Sequence, residues 1–135
     1  MAFKKILWRT ELAGLAALFI CACVIGLYGF IESYLWFLEG KKLMITPSDA
    51  AWLTFAYSGT IGIIAVLFYG APAYALLRHK NMVFWWSVFL IGAAPGVAFI
   101  FFEREFGGWL IIGGVIVASI THILSRRFVS SEAAL

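Results

Sequence analysis

Residues 12–31 read LAGLAALFICACVIGLYGFI, a stretch of sequence without a single charged side chain. At about 1.5 Å of rise per residue, a helix of about 20 residues crosses the ~30 Å hydrocarbon core of a bilayer. Residues 50–77, 82–102 and 106–124 are equally free of Asp, Glu, Lys and Arg. The pattern predicts an all-α integral membrane protein, built as an antiparallel bundle of four transmembrane helices.

The composition is consistent with this fold and limits its extent. Hydrophobic residues make up 64% of the 135 positions, whereas a soluble domain is about 45–50% apolar. The four stretches and their links use most of the chain, so we expect a single membrane domain over residues 1–135. The first stretch is too long for the core of a signal peptide, which favours a retained helix. The net charge of +3 is small, so nucleic acid is not an expected partner.

The basic residues predict the orientation of the bundle. An even number of spans places both termini on one side, which carries seven Lys and Arg against three on the other. The positive-inside rule therefore predicts that both termini are cytoplasmic, and the six tryptophans fall near span ends, as in an aromatic belt. We expect a bacterial inner membrane for so small and compact a chain. The residues counted are Lys4, Lys5, Arg9, Arg78, Lys80, Arg126 and Arg127 on one side, and Lys41, Lys42 and Arg104 on the other.

The second stretch, residues 50–77, is longer than the membrane core is thick. As a helix it would extend about 42 Å. We predict a kink near Pro72, because proline removes a backbone donor and disturbs the helix before it. At the start of this helix, Thr46 is the expected N-cap and Pro47 suits the first helical position.

Small residues recur at helical spacing along the predicted spans. Small side chains on one face of a helix allow a neighbouring membrane helix to approach closely, and two of them form a GxxxG pair in the third span. The candidate helix-packing residues are Ala22, Gly26, Gly29, Ser58, Gly62, Gly92, Gly96, Gly114 and Ala118.

The link between the first two spans, residues 32–46, is the longest and mixes aromatic with charged side chains. We predict either a continuation of the first helix or a short surface helix, ending at Gly40. Its exposure and unusual composition make it the candidate partner-binding loop. The candidate residues are Tyr34, Trp36, Phe37, Glu39, Lys41 and Lys42.

The sequence offers few groups for catalysis or cofactor binding. Cys21 and Cys23 point roughly 200° apart on a helix, so they cannot pair with each other, and a soft-metal site is not expected because no other cysteine is available to complete it. His79 and His122 lie near the same side of the membrane, but two histidines without a thiolate or carboxylate make a poor metal or haem site. Serines near His122 have no acid at their depth to complete a hydrolase. We expect no catalytic residues, no cofactor and no metal.

These observations favour a small non-enzymatic membrane protein that serves another membrane component as an accessory, interaction or immunity-type protein. The expected partners are membrane lipids and either another membrane protein or a second copy of the chain. The alternative is an oligomeric small transporter or channel, which needs a polar path. The absence of charge in the middle of every span disfavours ion-coupled transport. The candidate path residues are Thr54, Ser58, Thr60 and Thr121.

Overall fold

The computed structural model of the protein describes residues 3–42 and 44–130, with side chains described up to residue 127. The described chain is entirely helical apart from its links, which confirms the all-α prediction. The ends of the predicted domain, residues 1–2 and 131–135, lie outside the described residues. The helices are α1 (Phe3–Leu38), α2 (Pro47–Ala65), α3 (Ala71–His79), α4 (Trp85–Ile100) and α5 (Arg104–Ser130), with a π-helical turn (Val66–Gly70) joining α2 to α3.

Three helical segments are long and apolar enough to cross a membrane, which indicates an integral membrane location. They are Phe3–Leu38, Pro47–His79 (α2, the π-helical turn and α3 together) and Arg104–Arg127. The fourth helix, α4, has 16 residues and is about 24 Å long, less than the ~30 Å core. The structure therefore has three long apolar helices and one shorter one, where the sequence predicted four full spans.

The start of α4 explains part of this difference, because the predicted span 82–102 begins with residues that are not helical. Asn81 ends α3 in the left-handed conformation with φ 54°, and the next N–H bonds back to the carbonyl of Leu77 at 2.9 Å. Phe84 is extended, and its N–H donates to Ser87 Oγ at 2.9 Å. The Ser87 side chain thus reaches back to the N-cap residue, and α4 begins at Trp85, three residues later than predicted.

The central helix of the bundle is α1. It packs along α2 and α5 and also contacts α3, while α4 packs mainly along α5. Close packing is possible because the core is rich in small side chains, and Ala17 and Ala75 are fully buried. The spatial order is therefore α2, α1, α5 and α4, with α3 against α1.

One end of the bundle collects the start of α1, the end of α3 and the end of α5. The rings of Phe3 and His79 meet edge to face there, with centroids 5.8 Å apart. We call this end of the bundle the basic end, because it holds Lys4, Lys5, Arg9, Arg78, Lys80, Arg126 and Arg127. The opposite end, which we call the far end, carries the α1–α2 link and the α4–α5 turn.

The π-helical turn ends two residues before Pro72, the residue near which the sequence predicted a kink. The N–H of Ala71 donates to the carbonyl of Val66, five residues back instead of four. In a regular α-helix the proline ring collides with the carbonyl four residues before it. Widening the preceding turn relieves that collision, and it keeps α2 and α3 within one helical segment.

The start of α2 has the cap that the sequence predicted. Thr46 is the N-cap and Pro47 occupies the first turn. The N–H of Asp49 donates to Thr46 Oγ1 at 3.2 Å, and the Thr46 hydroxyl donates to the Asp49 carboxylate at 2.6 Å. The carboxylate lies in the first turn, where it stabilises the positive end of the helix dipole.

The predicted partner-binding loop is partly helical, because α1 continues into it. The helix ends where Gly40 adopts φ 70° and the N–H of Lys41 bonds to the carbonyl of Trp36 at 3.1 Å. This is a Schellman ending, which needs a residue that tolerates positive φ. Of the candidate residues, Tyr34, Trp36 and Phe37 belong to α1, and Glu39, Lys41 and Lys42 belong to the link.

Candidate functional site

An apolar cleft runs along the bundle between α2 and α5, and α1, which packs against both, forms a third wall. Its volume is about 660 Å³, within the ~300–1,000 Å³ range of ligand sites in proteins. Residues of α3, α4 and the π-helical turn complete the lining. The lining part of α1 runs from Thr10 to Tyr28, about 27 Å along the helix. The cleft is therefore long and narrow, and parallel to the helices.

The surface of the cleft is almost purely hydrocarbon. Its described lining includes no Asp, Glu, Lys, Arg or His. The hydroxyls of Thr10, Ser58 and Thr121 donate to main-chain carbonyls of their own helices at 2.8, 3.0 and 2.7 Å. Because these hydroxyls are already bonded, a guest in the cleft needs no polar groups to satisfy them.

One glycine of α5 borders open space in the cleft. A Cβ added at Gly113 would meet nothing within 4 Å, so this lining glycine faces an open volume. Six of the predicted helix-packing residues also contribute to the lining of the cleft. These six residues are Ala22, Ser58, Gly62, Gly92, Gly114 and Ala118.

Several predicted packing residues, including some that line the cleft, lie at close helix crossings. A Cβ on Gly26 would lie 3.2 Å from the Cβ of Phe55 in α2, and one on Gly29 would lie 2.6 Å from Thr54 Oγ1. Gly92 of α4 faces Gly114 of α5 so closely that a Cβ on Gly92 would lie 2.5 Å from the Gly114 carbonyl oxygen. A Cβ on Gly96 would be 2.5 Å from the backbone of Ile111, and Ala22 is buried in α1.

A polar cluster lies at the basic end of the cleft and consists of the buried side chains of Tyr74, His122 and Ser125 and the half-buried side chain of Arg78. The Tyr74 hydroxyl and His122 Nδ1 share a hydrogen bond of 2.7 Å, and these side chains are only 4% and 5% exposed. The ring of Trp85 packs edge-on against His122, with centroids 4.8 Å apart. Arg78 Nη1 donates to the Ser125 hydroxyl and to its carbonyl oxygen, the latter at 3.4 Å. The cluster ties α3 to α5.

Sequence reasoning singled out His122 but missed its partners, because they lie on a helix almost fifty residues earlier in the chain. A signal did exist. Tyr74 and Arg78 are four residues apart, as are Thr121 and Ser125, so each pair lies on one helix face. His79 contacts Phe3 instead of His122. Among the described residues, no group of three His, Cys, Asp or Glu side chains could hold a metal ion.

The far end presents the predicted partner-binding residues on its surface. Tyr34, Trp36 and Phe37 are exposed at the end of α1. Lys41 lies over the Trp36 ring, with its Nζ 5.1 Å from the centroid, and pairs with Glu39 at 2.6 Å. Such exposed ion pairs contribute little to stability. This surface is exposed.

Comparison with known protein families, curated proteins and solved structures finds no match to this chain. A helical bundle alone carries no function. The chemistry of the cleft and of the polar cluster is therefore the basis for a functional proposal.

Proposed function

We propose that this chain is a small non-enzymatic membrane protein that binds another membrane component in the cleft between α2 and α5. It would act as an accessory or interaction protein, and an immunity-type role is one specific form. The observation that carries the proposal is the 660 Å³ cleft with its hydrocarbon lining. Within a bilayer, an apolar guest gains van der Waals contact with such a surface.

The bonding of the polar cluster supports a non-enzymatic role. A serine nucleophile needs a general base within hydrogen-bond reach. Here Arg78 Nη1 donates to the Ser125 hydroxyl, and His122 Nδ1 is bonded to Tyr74. Both candidate catalytic groups are almost completely buried. Their arrangement favours a structural role in closing the basic end of the cleft.

The alternative, an oligomeric transporter or channel, requires a polar path. The four candidate path hydroxyls each donate to a main-chain carbonyl of their own helix, at 2.5–3.0 Å. Such bonds reduce the polarity that a hydrated solute would need. Binding of an apolar component is therefore better supported than transport of a polar one. The four residues are Thr54, Ser58, Thr60 and Thr121.

Native mass spectrometry of the protein, extracted in mild detergent, tests the proposal with two matched variants. Gly113→Leu places a side chain in the open part of the cleft, and Gly108→Leu places the same side chain on α5 outside the lining. At both glycines an added Cβ meets no atom within 4 Å, so both variants should fold.

We expect the wild-type protein and Gly108→Leu to carry a bound component in a one-to-one ratio, and Gly113→Leu to have lost it. Equal occupancy in all three proteins would refute the proposal. Thermal unfolding in the same detergent provides the folding control.

We also infer that α4 is the fourth span and that both termini are cytoplasmic in a bacterial inner membrane. Apolar residues 82–84 and 101–102 flank α4, and together with the helix they form an apolar segment roughly as long as the core is thick. The basic end carries seven Lys and Arg against three at the far end, which supports this orientation. In intact cells, a membrane-impermeant thiol reagent should label Lys42→Cys but not Lys80→Cys. The opposite labelling would reverse the orientation.

A further inference from the structure

We propose that the component bound in the cleft is an anionic phospholipid, with an acyl chain between α2 and α5 and its phosphate at Arg78. This inference rests on the binding function proposed above and identifies the class of ligand. The proposal combines the apolar cleft with the polar cluster. The two adjoin at Tyr74 and Thr121, which line the basic end of the cleft.

The length and volume of the cleft suit a lipid chain. The α5 part of the lining runs from Phe106 to Thr121, about 22 Å. The cleft has a volume of about 660 Å³, so a single flexible hydrocarbon chain fits along it.

The direction and opening of the cleft also match a lipid chain. The cleft runs parallel to the long helices, as acyl chains do in a bilayer. Among the described residues, α2 packs along α1 and has no extensive contact with α4 or α5. The cleft therefore opens sideways, between α2 and the α4–α5 pair, toward the hydrocarbon that surrounds a membrane protein.

Arg78 is placed to bind the phosphate. It lies one helical turn beyond Tyr74, and its partner Ser125 lies one turn beyond Thr121. The Arg78–Ser125 pair is therefore about 6 Å past the end of the apolar lining. Nη1 of Arg78 bonds to Ser125, which fixes the guanidinium, and Nε and Nη2 carry further N–H donors. A guanidinium held in this way suits a phosphate oxygen.

The charge of the two ends selects an anionic headgroup at the basic end. Seven Lys and Arg lie there with one described acidic residue, Glu11, whereas the far end has three basic residues and five acidic ones. Basic residues at a membrane surface attract anionic lipids. The acidic residues of the far end are Glu32, Glu39, Asp49, Glu103 and Glu105.

The test uses the full chain in nanodiscs that contain equal amounts of phosphatidylglycerol and phosphatidylcholine, followed by release into detergent and quantification of the retained lipid. We expect wild-type protein to retain phosphatidylglycerol about tenfold over phosphatidylcholine. Arg78→Gln should retain both lipids equally. Lys80→Gln removes the same charge from an exposed site at the same end, and it should keep the preference.

A second variant covers the case in which Arg78→Gln does not fold. Arg78→Lys keeps the charge but loses the planar fork of donors, so the preference should fall without disappearing. Equal retention of the two lipids by the wild-type protein would overturn the proposal. The same result for Arg78→Gln and Lys80→Gln would also overturn it.

The two proposals fail in distinguishable ways. If Gly113→Leu empties the cleft but no headgroup preference exists, the binding function stands and the anionic phospholipid is wrong. If Gly113→Leu retains as much lipid as Gly108→Leu, the cleft is not the site and both proposals fail. A stoichiometric protein partner without lipid would replace the lipid as the occupant.

Discussion

Replacing Gly92 with alanine tests the tightest helix crossing in the bundle. A Cβ at this position would lie 2.5 Å from the carbonyl oxygen of Gly114 and 2.9 Å from the Cα of Val115. Both are backbone atoms of α5, so no side-chain rotation relieves the overlap. Since ordinary contact begins at 3.4 Å, α4 must move away from α5 by about 1 Å.

The energetic consequence follows from that movement. A gap of about 1 Å forfeits a quarter to a half of the dispersion energy of each contact that it opens, and overpacking of this kind costs about 1–3 kcal/mol. The higher helix propensity of alanine offsets up to about 1 kcal/mol of this loss of stability. We expect Gly92→Ala to be destabilised by about 1–2 kcal/mol, which is a five- to thirty-fold change in the ratio of folded to unfolded protein.

The assay is unfolding by a denaturing detergent in mixed micelles, followed by circular dichroism. Gly59→Ala is the matched control, because an added Cβ at Gly59 meets nothing within 4 Å. It should be as stable as the wild-type protein or more stable, by up to about 1 kcal/mol. If Gly92→Ala were as stable as Gly59→Ala, the close α4–α5 crossing would be wrong.

Three further substitutions test local features. Gly40→Ala should destabilise the end of α1 by about 1–2 kcal/mol, because φ 70° is strained for alanine. Amide exchange at Lys41 should become faster, and unchanged exchange would contradict the Schellman ending. Thr46→Ala should cost about 1 kcal/mol through loss of the N-cap, measured as a lower unfolding midpoint, while an unchanged midpoint would contradict the cap. Tyr74→Phe leaves buried His122 Nδ1 without its hydroxyl partner and should lower the free energy of unfolding by about 1–3 kcal/mol. The imidazole resonance of His122 in NMR should shift, and an unaltered resonance would argue against the bond.

Local sequence signals predicted the helices and several of their ends. The charge-free stretches mark apolar helices because hydrocarbon excludes unpaired backbone and charge. Thr46 and Gly40 were predictable caps, since each satisfies a local backbone requirement. The continuation of α1 past residue 31 was one of two alternatives that the sequence left open. The structure has the continuous helix, which runs to Leu38, because a helix can extend past the charged residues that end an apolar stretch.

The site was harder to predict, because it depends on which helices become neighbours. Periodicity shows that Ser58 and Gly62 share a face of α2, but not that this face borders a cleft instead of another helix. The same limit applies to Gly92, whose partner Gly114 lies on a different helix. The bond between Tyr74 and His122 depends on the position of α3 against α5, which no local pattern encodes.

The most direct test of an apolar cleft is the chemical accessibility of a thiol inside it. The native Cys21 and Cys23 are free thiols, so they are first replaced with alanine, and Ser58→Cys is then introduced in the cleft lining. In native membranes, the structure predicts reaction with an apolar maleimide and no reaction with a charged, water-soluble thiosulfonate. Lys42→Cys, at the exposed far end, is the positive control for the charged reagent. Labelling of Ser58→Cys by the charged reagent at the rate of this control would reveal a water-filled path, which would contradict lipid binding and favour transport.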